Sequence, residues 1–184
     1  MAGAMAEGVE GLKAARSTER VYLVGFMGSG KTAVGTLLAA RRRVPFVDLD
    51  QAFETMAGQT VREVFRVHGE AWFRERETEL LQGTATLPAA VVAAGGGTFT
   101  FPANREFIAA SGVSVFLDVP FSVIEKRLAG KAADRPLFRS VSEAFALYEA
   151  RLPSYRIADL VVRVGETESA ETVALRVDEA LCAI

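Results

Sequence analysis

The chain has 184 residues, enough for one domain with a core of its own. Its 21 Lys and Arg stand against 23 Asp and Glu, a net charge of −2, so no global basic field recruits nucleic acid or an anionic membrane. Half of the residues are hydrophobic, yet no apolar run approaches the ~20 residues that span a bilayer and no apolar signal core opens the chain, which predicts a soluble, cytoplasmic protein.

Residues 1–19 are rich in Ala, Gly and Glu without a sustained apolar stripe and are expected to form a mobile leader ahead of a domain over 20–184. From Arg20 onward, short β-rich runs at 21–24, 45–48, 91–94, 113–117 and 160–164 alternate with helical patterns that follow Lys31, Asp50, Val61, Phe121, Val141 and Ser169. That alternation predicts an α/β fold, a parallel sheet with helices on both faces. Ser169 with Glu171 two residues on has the form of an N-cap with acid in the first turn. Between two helical patterns, residues 130–140 carry Gly, Lys, Asp, Arg and Pro, the composition of an exposed loop able to close over a site as a lid. The one cysteine, Cys182, lies in an apolar C-terminal stretch and is expected to pack, which fits a reducing compartment.

Chemistry first enters at residues 25–32, where Gly25, Gly30, Lys31 and Thr32 fit G-x-x-x-x-G-K-[ST] between a predicted strand and a predicted helix. Glycines there let backbone N–H groups converge on phosphate oxygens and the helix N-terminus adds positive potential. Lys31 reaches the outer phosphates and Thr32 ligates Mg²⁺. A motor-type ATPase would end a later strand in an acidic pair, whereas 91–94 runs into Gly95, Gly96 and Gly97. A switch GTPase would carry N-K-x-D, whereas Asn104 is followed by Arg105. Three glycines at the C-terminal end of a strand let backbone approach a ligand where open α/β sheets bind theirs; the bland alternative is a flexible turn.

Asp48 and Asp50 close the second predicted strand, a spacing that puts both carboxylates on one side of an extended chain. One can hold Mg²⁺ and the other a substrate hydroxyl, unless Asp50 merely caps the helix beginning at Gln51. Arg74, taken alone, reads as a surface ion pair with Glu70 or Glu77, both within helical reach. His68, before Gly69, is expected to close a helix, and Trp72 to anchor the floor of the acceptor pocket.

Taken together, Asp48-Leu49-Asp50, the run from Gly69 to Glu77, Gly95-Gly96-Gly97, Arg135-Pro136-Leu137 and Arg151-Leu152-Pro153-Ser154-Tyr155 resemble the shikimate kinases in order and spacing over about 21–164. The resemblance implies a three-layer P-loop NTPase fold with a five-stranded parallel sheet in the order 2-3-1-4-5 and a mobile lid. It implies ATP and shikimate as substrates and Mg²⁺ as cofactor, with a monomer as the working unit. Gly28, Ser29, Gly30, Lys31, Thr32 and Ala33 would hold the nucleotide, with Arg127 against the adenine, and Asp48 would support the metal through water. Asp50 would bind the ring hydroxyls and activate the attacking one. Arg74 and Arg151 would grip the carboxylate beside Gly95, Gly96 and Gly97, and Arg135 would arrive with the lid to neutralise the moving phosphoryl group. Two guanidinium groups facing one pocket call for an anion between them. The rival readings are another small-molecule kinase, such as a gluconate kinase, and a nucleotide-binding regulatory module without turnover.

Overall fold

The run Arg20–Val24 forms strand β1, and its last four side chains are all buried, because a strand covered on both faces needs apolar residues at every position. In the computed structural model, which describes residues 19–129 and 140–184, β1 pairs in parallel with β3 (Ala90–Ala93) and β4 (Val113–Asp118). Beyond these, β2 (Phe46–Asp48) pairs with β3 and β5 (Leu160–Arg163) with β4, giving the five-stranded order β2-β3-β1-β4-β5 expected from the resemblance. Seven helices are found among the described residues: α1 (Lys31–Arg42), α2 (Leu49–Ala57), α3 (Val61–Gly83), α4 (Pro102–Ser111), α5 (Phe121–Leu128), α6 (Val141–Tyr155) and α7 (Ala170–Cys182).

Alternation along β1 sorts the helices into layers. Leu23 meets α1 at Gly35, where a Cβ would lie 3.1 Å from the leucine's Cδ1. Tyr22 points to the opposite face and hydrogen-bonds Thr84, in the turn that ends α3, at 3.0 Å. Phe116 shares the Tyr22 face by register and stacks on Tyr155 of α6 with ring centroids 5.2 Å apart. On the Leu23 side α7 packs along α1, and Asp178 takes Arg41 and Arg42 at 2.6 and 2.8 Å. Fully buried residues such as Leu23, Leu38, Phe116, Leu117 and Ile124 each contribute about 1.5–3 kcal/mol, which fixes the sheet that carries the site.

Local chemistry sets the helix starts. Thr60 and Glu63 make a reciprocal capping box at α3, and Ser169 caps α7 as the sequence predicts. Three details depart from expectation or go beyond it. Helix α2 follows β2 without a break, and Asp48, not Asp50, is its cap, accepting from the backbone N–H of Asp50 at 3.1 Å and Gln51 at 3.3 Å. Helix α4 escaped the sequence reading, because Phe101 supplies no side-chain cap and the helix opens on Pro102 directly after a glycine-rich stretch. Cys182 is exposed rather than packed: it ends α7 on the flank facing Arg42, whose Nη2 lies 4.0 Å from its sulfur. His68 does close a helical segment, since Gly69 leaves helical geometry at φ 83° and ψ 171° inside α3. The expected leader over 1–19 lies, except for Glu19, outside the described residues, as do the lid over 130–140, except for Ser140, and Arg135. No helix among the described residues is long and apolar enough to cross a membrane.

Candidate active site

Strand β1 delivers the chain into the loop at 25–30, and α1 begins on Gly30, a position at φ 95° with no side-chain cap. The first-turn N–H groups of an α-helix have no intrahelical acceptor, so an uncapped start suits an anion. Lys31 folds over this loop, its Nζ donating to the carbonyls of Gly25 and Phe26 at 2.9 Å each. The ammonium is thereby held against the loop it follows. Arg127, from α5, donates to the carbonyl of Gly28 at 3.1 Å and borders the same loop.

A cavity of about 460 Å³ opens over the loop. It is lined by Gly28 through Ala33, Asp48, Asp50, Gly96 and Arg127, together with Val164, Glu168, Ala170 and Val173. Asp48 accepts the hydroxyl of Thr32 through Oδ2 at 2.6 Å while Oδ1 caps α2. The two aspartates do reach one site, though not by strand alternation: Asp48 ends the strand and Asp50 projects from the first turn of the helix. Since Asp48 takes the cap, Asp50 keeps its carboxylate in the cavity, with Oδ1 near the backbone of Gly95.

The triple glycine is a contact surface, not a slack turn. A Cβ at Gly95 would strike Glu77 and come within 3.0 Å of Asp50 Oδ1, and one at Gly97 would sit 2.7 Å from the guanidinium of Arg74. Between them the carbonyl of Gly96 accepts from Arg151 Nη1 at 3.1 Å and from the hydroxyl of Tyr155. Burial pushes the Tyr155 phenol up to about 12 despite the opposing pull of Arg151, so it remains a donor throughout the ordinary pH range. Residues 151 and 155 face the same carbonyl because they are one helical turn apart on α6.

Arg74 makes both contacts that its helix allows. Glu77 takes Nη1 at 2.8 Å, and Glu70 takes Nε and Nη2 through a single oxygen at 3.2 and 3.0 Å. Burial alone would lower the guanidinium, but these two carboxylates hold it above its ordinary value. Glu77 is buried, and its other oxygen accepts from Thr98 at 2.6 Å, which fastens Arg74 to the turn after the glycines. Two expectations need correction. Arg74 does not stand as one of two bare cations awaiting an anion, because its own helix already neutralises it. The rings beside its guanidinium carbon are Phe73, Phe101 and Phe65 at 5.0, 5.6 and 6.0 Å, while Trp72 stacks on His68 at 4.7 Å and meets Phe53 edge-on.

The chain thus brings the loop residues, Asp48, Asp50, Gly96 and Arg127 to one cavity, while Arg74, Gly95, Gly97 and Arg151 do not line it: Arg74 lies against Gly97 and Arg151 bonds the carbonyl of Gly96, and Arg135 lies outside the described residues. Sequence reading assigned no site role to Glu77, Thr98 or Tyr155. The i, i+3 spacing from Arg74 to Glu77 and the i, i+4 spacing from Arg151 to Tyr155 were the available signals. For Thr98 there was none, because its partner comes from another element.

Comparison with known proteins agrees with this geometry. The profile of the shikimate kinase family matches residues 27–182. A shikimate kinase of Cereibacter sphaeroides is 43% identical over 170 residues, covering 91% of this chain and 84% of the relative. One from Ruegeria pomeroyi is 43% identical over 164 residues, covering 87% and 84%. Among solved structures, shikimate kinase from Acinetobacter baumannii in complex with shikimate superposes with a TM-score of 0.86 at 32% identity, covering 93% of this chain and 97% of that one.

Proposed function

The chain belongs to the shikimate kinase family, ATP-dependent phosphotransferases of aromatic amino acid biosynthesis that act on the 3-hydroxyl of shikimate, and we propose how its own residues divide that work. The loop amides and Lys31 hold the outer phosphates of ATP. Arg127 flanks the adenine, and Arg74 and Arg151 anchor the shikimate carboxylate against the glycine wall. Asp50 accepts a hydrogen bond from the attacking hydroxyl and takes its proton as the oxygen bonds to the γ-phosphorus and the bond to ADP breaks. Transfer of this kind needs alignment and charge neutralisation more than covalent help, which suits a site made of backbone N–H groups and fixed cations.

The observation that carries this division is the single cavity that runs from the phosphate loop to Asp50 and Gly96. Thr32 and Asp48 are hard oxygen donors 2.6 Å apart, and this pair fits Mg²⁺, which is commonly bound by one or two protein oxygens together with phosphates and water. When bound, with Asp48 acting through water, the ion would neutralise phosphate charge. Arg135 is assigned to the transferring group, entering with a lid over 130–140. We assign the kinase to residues 20–184 behind a leader at 1–19, acting in the cytoplasm as a monomer. The main core, which runs from β1 through Leu38 of α1 to Val177 of α7, supports a single domain over these residues.

ADP release measured with shikimate, with gluconate and without acceptor tests the reading. Turnover dependent on shikimate is expected; equal rates with gluconate would return the chain to the wider class of small-molecule kinases, and none with any acceptor would leave a binding module. Arg135→Ala should lower kcat far more than ATP affinity, and unchanged kcat in the folded variant would remove the lid role.

A further inference from the structure

We propose that Glu70 is a built-in competitor for the acceptor's carboxylate, a residue that sets specificity by occupying the binding edge of Arg74 until a better anion displaces it. The inference rests on reading Arg74 as the carboxylate anchor. A guanidinium has two edges whose paired N–H groups can match the two oxygens of a carboxylate: the end, Nη1 with Nη2, where buried Glu77 already takes Nη1, and the side edge, Nε with Nη2. In this structure that edge belongs to Glu70, and the remaining donor used, Nη1, belongs to Glu77. The faces of the group are crowded as well, by the rings of Phe73, Phe101 and Phe65 and by the close backbone of Gly97.

The two glutamates differ in how readily they can leave. Glu77 is 2% exposed, and its second oxygen is tied to Thr98, so moving it would strand a buried charge. Glu70 is 53% exposed and stands directly after the break at Gly69, and both of its bonds to Arg74 converge on Oε1. One oxygen shared between two donors is a poorer match than two parallel bonds, and water receives a displaced Glu70 at little cost. Glu77 is therefore the permanent anchor and Glu70 a placeholder. An acceptor that combines a two-oxygen carboxylate with ring hydroxyls for Asp50 wins the exchange, whereas a plain monocarboxylate has only the first of these contacts to offer.

This reading predicts the sign of an effect that a supporting role would reverse. Glu70→Gln should lower the KM for shikimate by about 2- to 5-fold, the worth of one exposed ion pair, with kcat and the KM for ATP unchanged. It should also make the enzyme more sensitive than wild type to inhibition by benzoate, a plain monocarboxylate. Glu75→Gln, which removes the same charge from the same helix at a residue outside Arg74's set of partners, should alter neither property. A KM for shikimate that stays level or rises in Glu70→Gln, while wild type still prefers shikimate to its methyl ester, would overturn the competitor and make Glu70 a support for Arg74. Equal use of acid and ester by wild type would remove the carboxylate anchor itself, and the proposal with it.

Discussion

On the proposed division of roles, the nucleotide end and the acceptor end of the site are built on different plans. At the nucleotide end eight consecutive residues, 25–32, supply the loop, the lysine and the hydroxyl, and most of what they offer is backbone and the start of one helix. At the acceptor end Asp50, Arg74, Gly95 to Gly97 and Arg151 arrive from four separate parts of the chain, and side chains of other residues hold them in place. A site made from one stretch is right once that stretch folds. A site made from four stretches depends on the struts between them, here Glu77 with Thr98 and Tyr155 with Gly96. The first plan tolerates change around it, and the second spreads its vulnerability over residues that never touch substrate.

The sharpest test of this contrast is Lys31→Ala. It should lower kcat by roughly 10² or more while the fold survives, since charge stabilisation dominates the chemistry. ADP release together with a thermal melt decides it, and near-normal turnover in the folded variant would mean the nucleotide end does not work through its lysine. Next come Arg74→Ala and Arg151→Ala, each expected to weaken shikimate use by about 30-fold, largely through the partner left unpaired, with the KM for ATP nearly constant. If the KM for ATP moved in parallel, the two ends would not be separable.

Tyr155→Phe probes a strut alone and should raise the KM for shikimate by several-fold, about the worth of one hydrogen bond to Gly96. It carries a pH signature too. The phenol's value in the folded chain, about 12, lies above the ~10 of an unfolded tyrosine, so the folded state keeps a proton that the unfolded state gives up. Stability from this group is complete below pH ~10 and is lost as pH climbs toward 12, on the order of 2–3 kcal/mol in wild type and absent from the Phe variant. Denaturant melts of the two proteins across that window read the difference. The smallest effect is expected from Asp178→Asn, remote from both ends, which should cost about 1 kcal/mol or less and leave kinetics alone. The arginine pair holds the Asp178 carboxyl below its usual value against the opposing effect of burial, so its contribution is present at neutral pH and fades as the solution is acidified below the ordinary aspartate range.

What could be read from the sequence follows the same divide. The strands, with their all-apolar runs, and the phosphate loop, with its fixed spacing, are local patterns and were legible to within a residue or two. Asp50 was suggested by its spacing from Asp48, but Arg74 and Arg151 could be placed only through the family resemblance, since nothing local distinguishes Arg74 from any arginine flanked by glutamates on a helix. The cap at Asp48 went unseen, with Asp50 considered only as an alternative, because a strand running straight into a helix leaves no loop to mark the change. Thr98 was invisible in principle: its meaning lies in a carboxylate 21 positions away on another element.

The position of β1 also bears on how the chain acquires its shape during synthesis. Its two neighbours, β3 and β4, are both made long after it, and Leu23 finds its partners only at Ala93 and Val115. Pairings so distant in sequence form slowly, and an unpaired central strand is exposed to the wrong company while it waits. A nascent chain that has emerged only as far as β3 already contains the whole phosphate-binding sequence, yet its first strand still has an open edge. The ability to hold nucleotide should therefore appear late, with the completion of β4, and ATP captured by a growing or refolding chain would report that the middle of the sheet has closed.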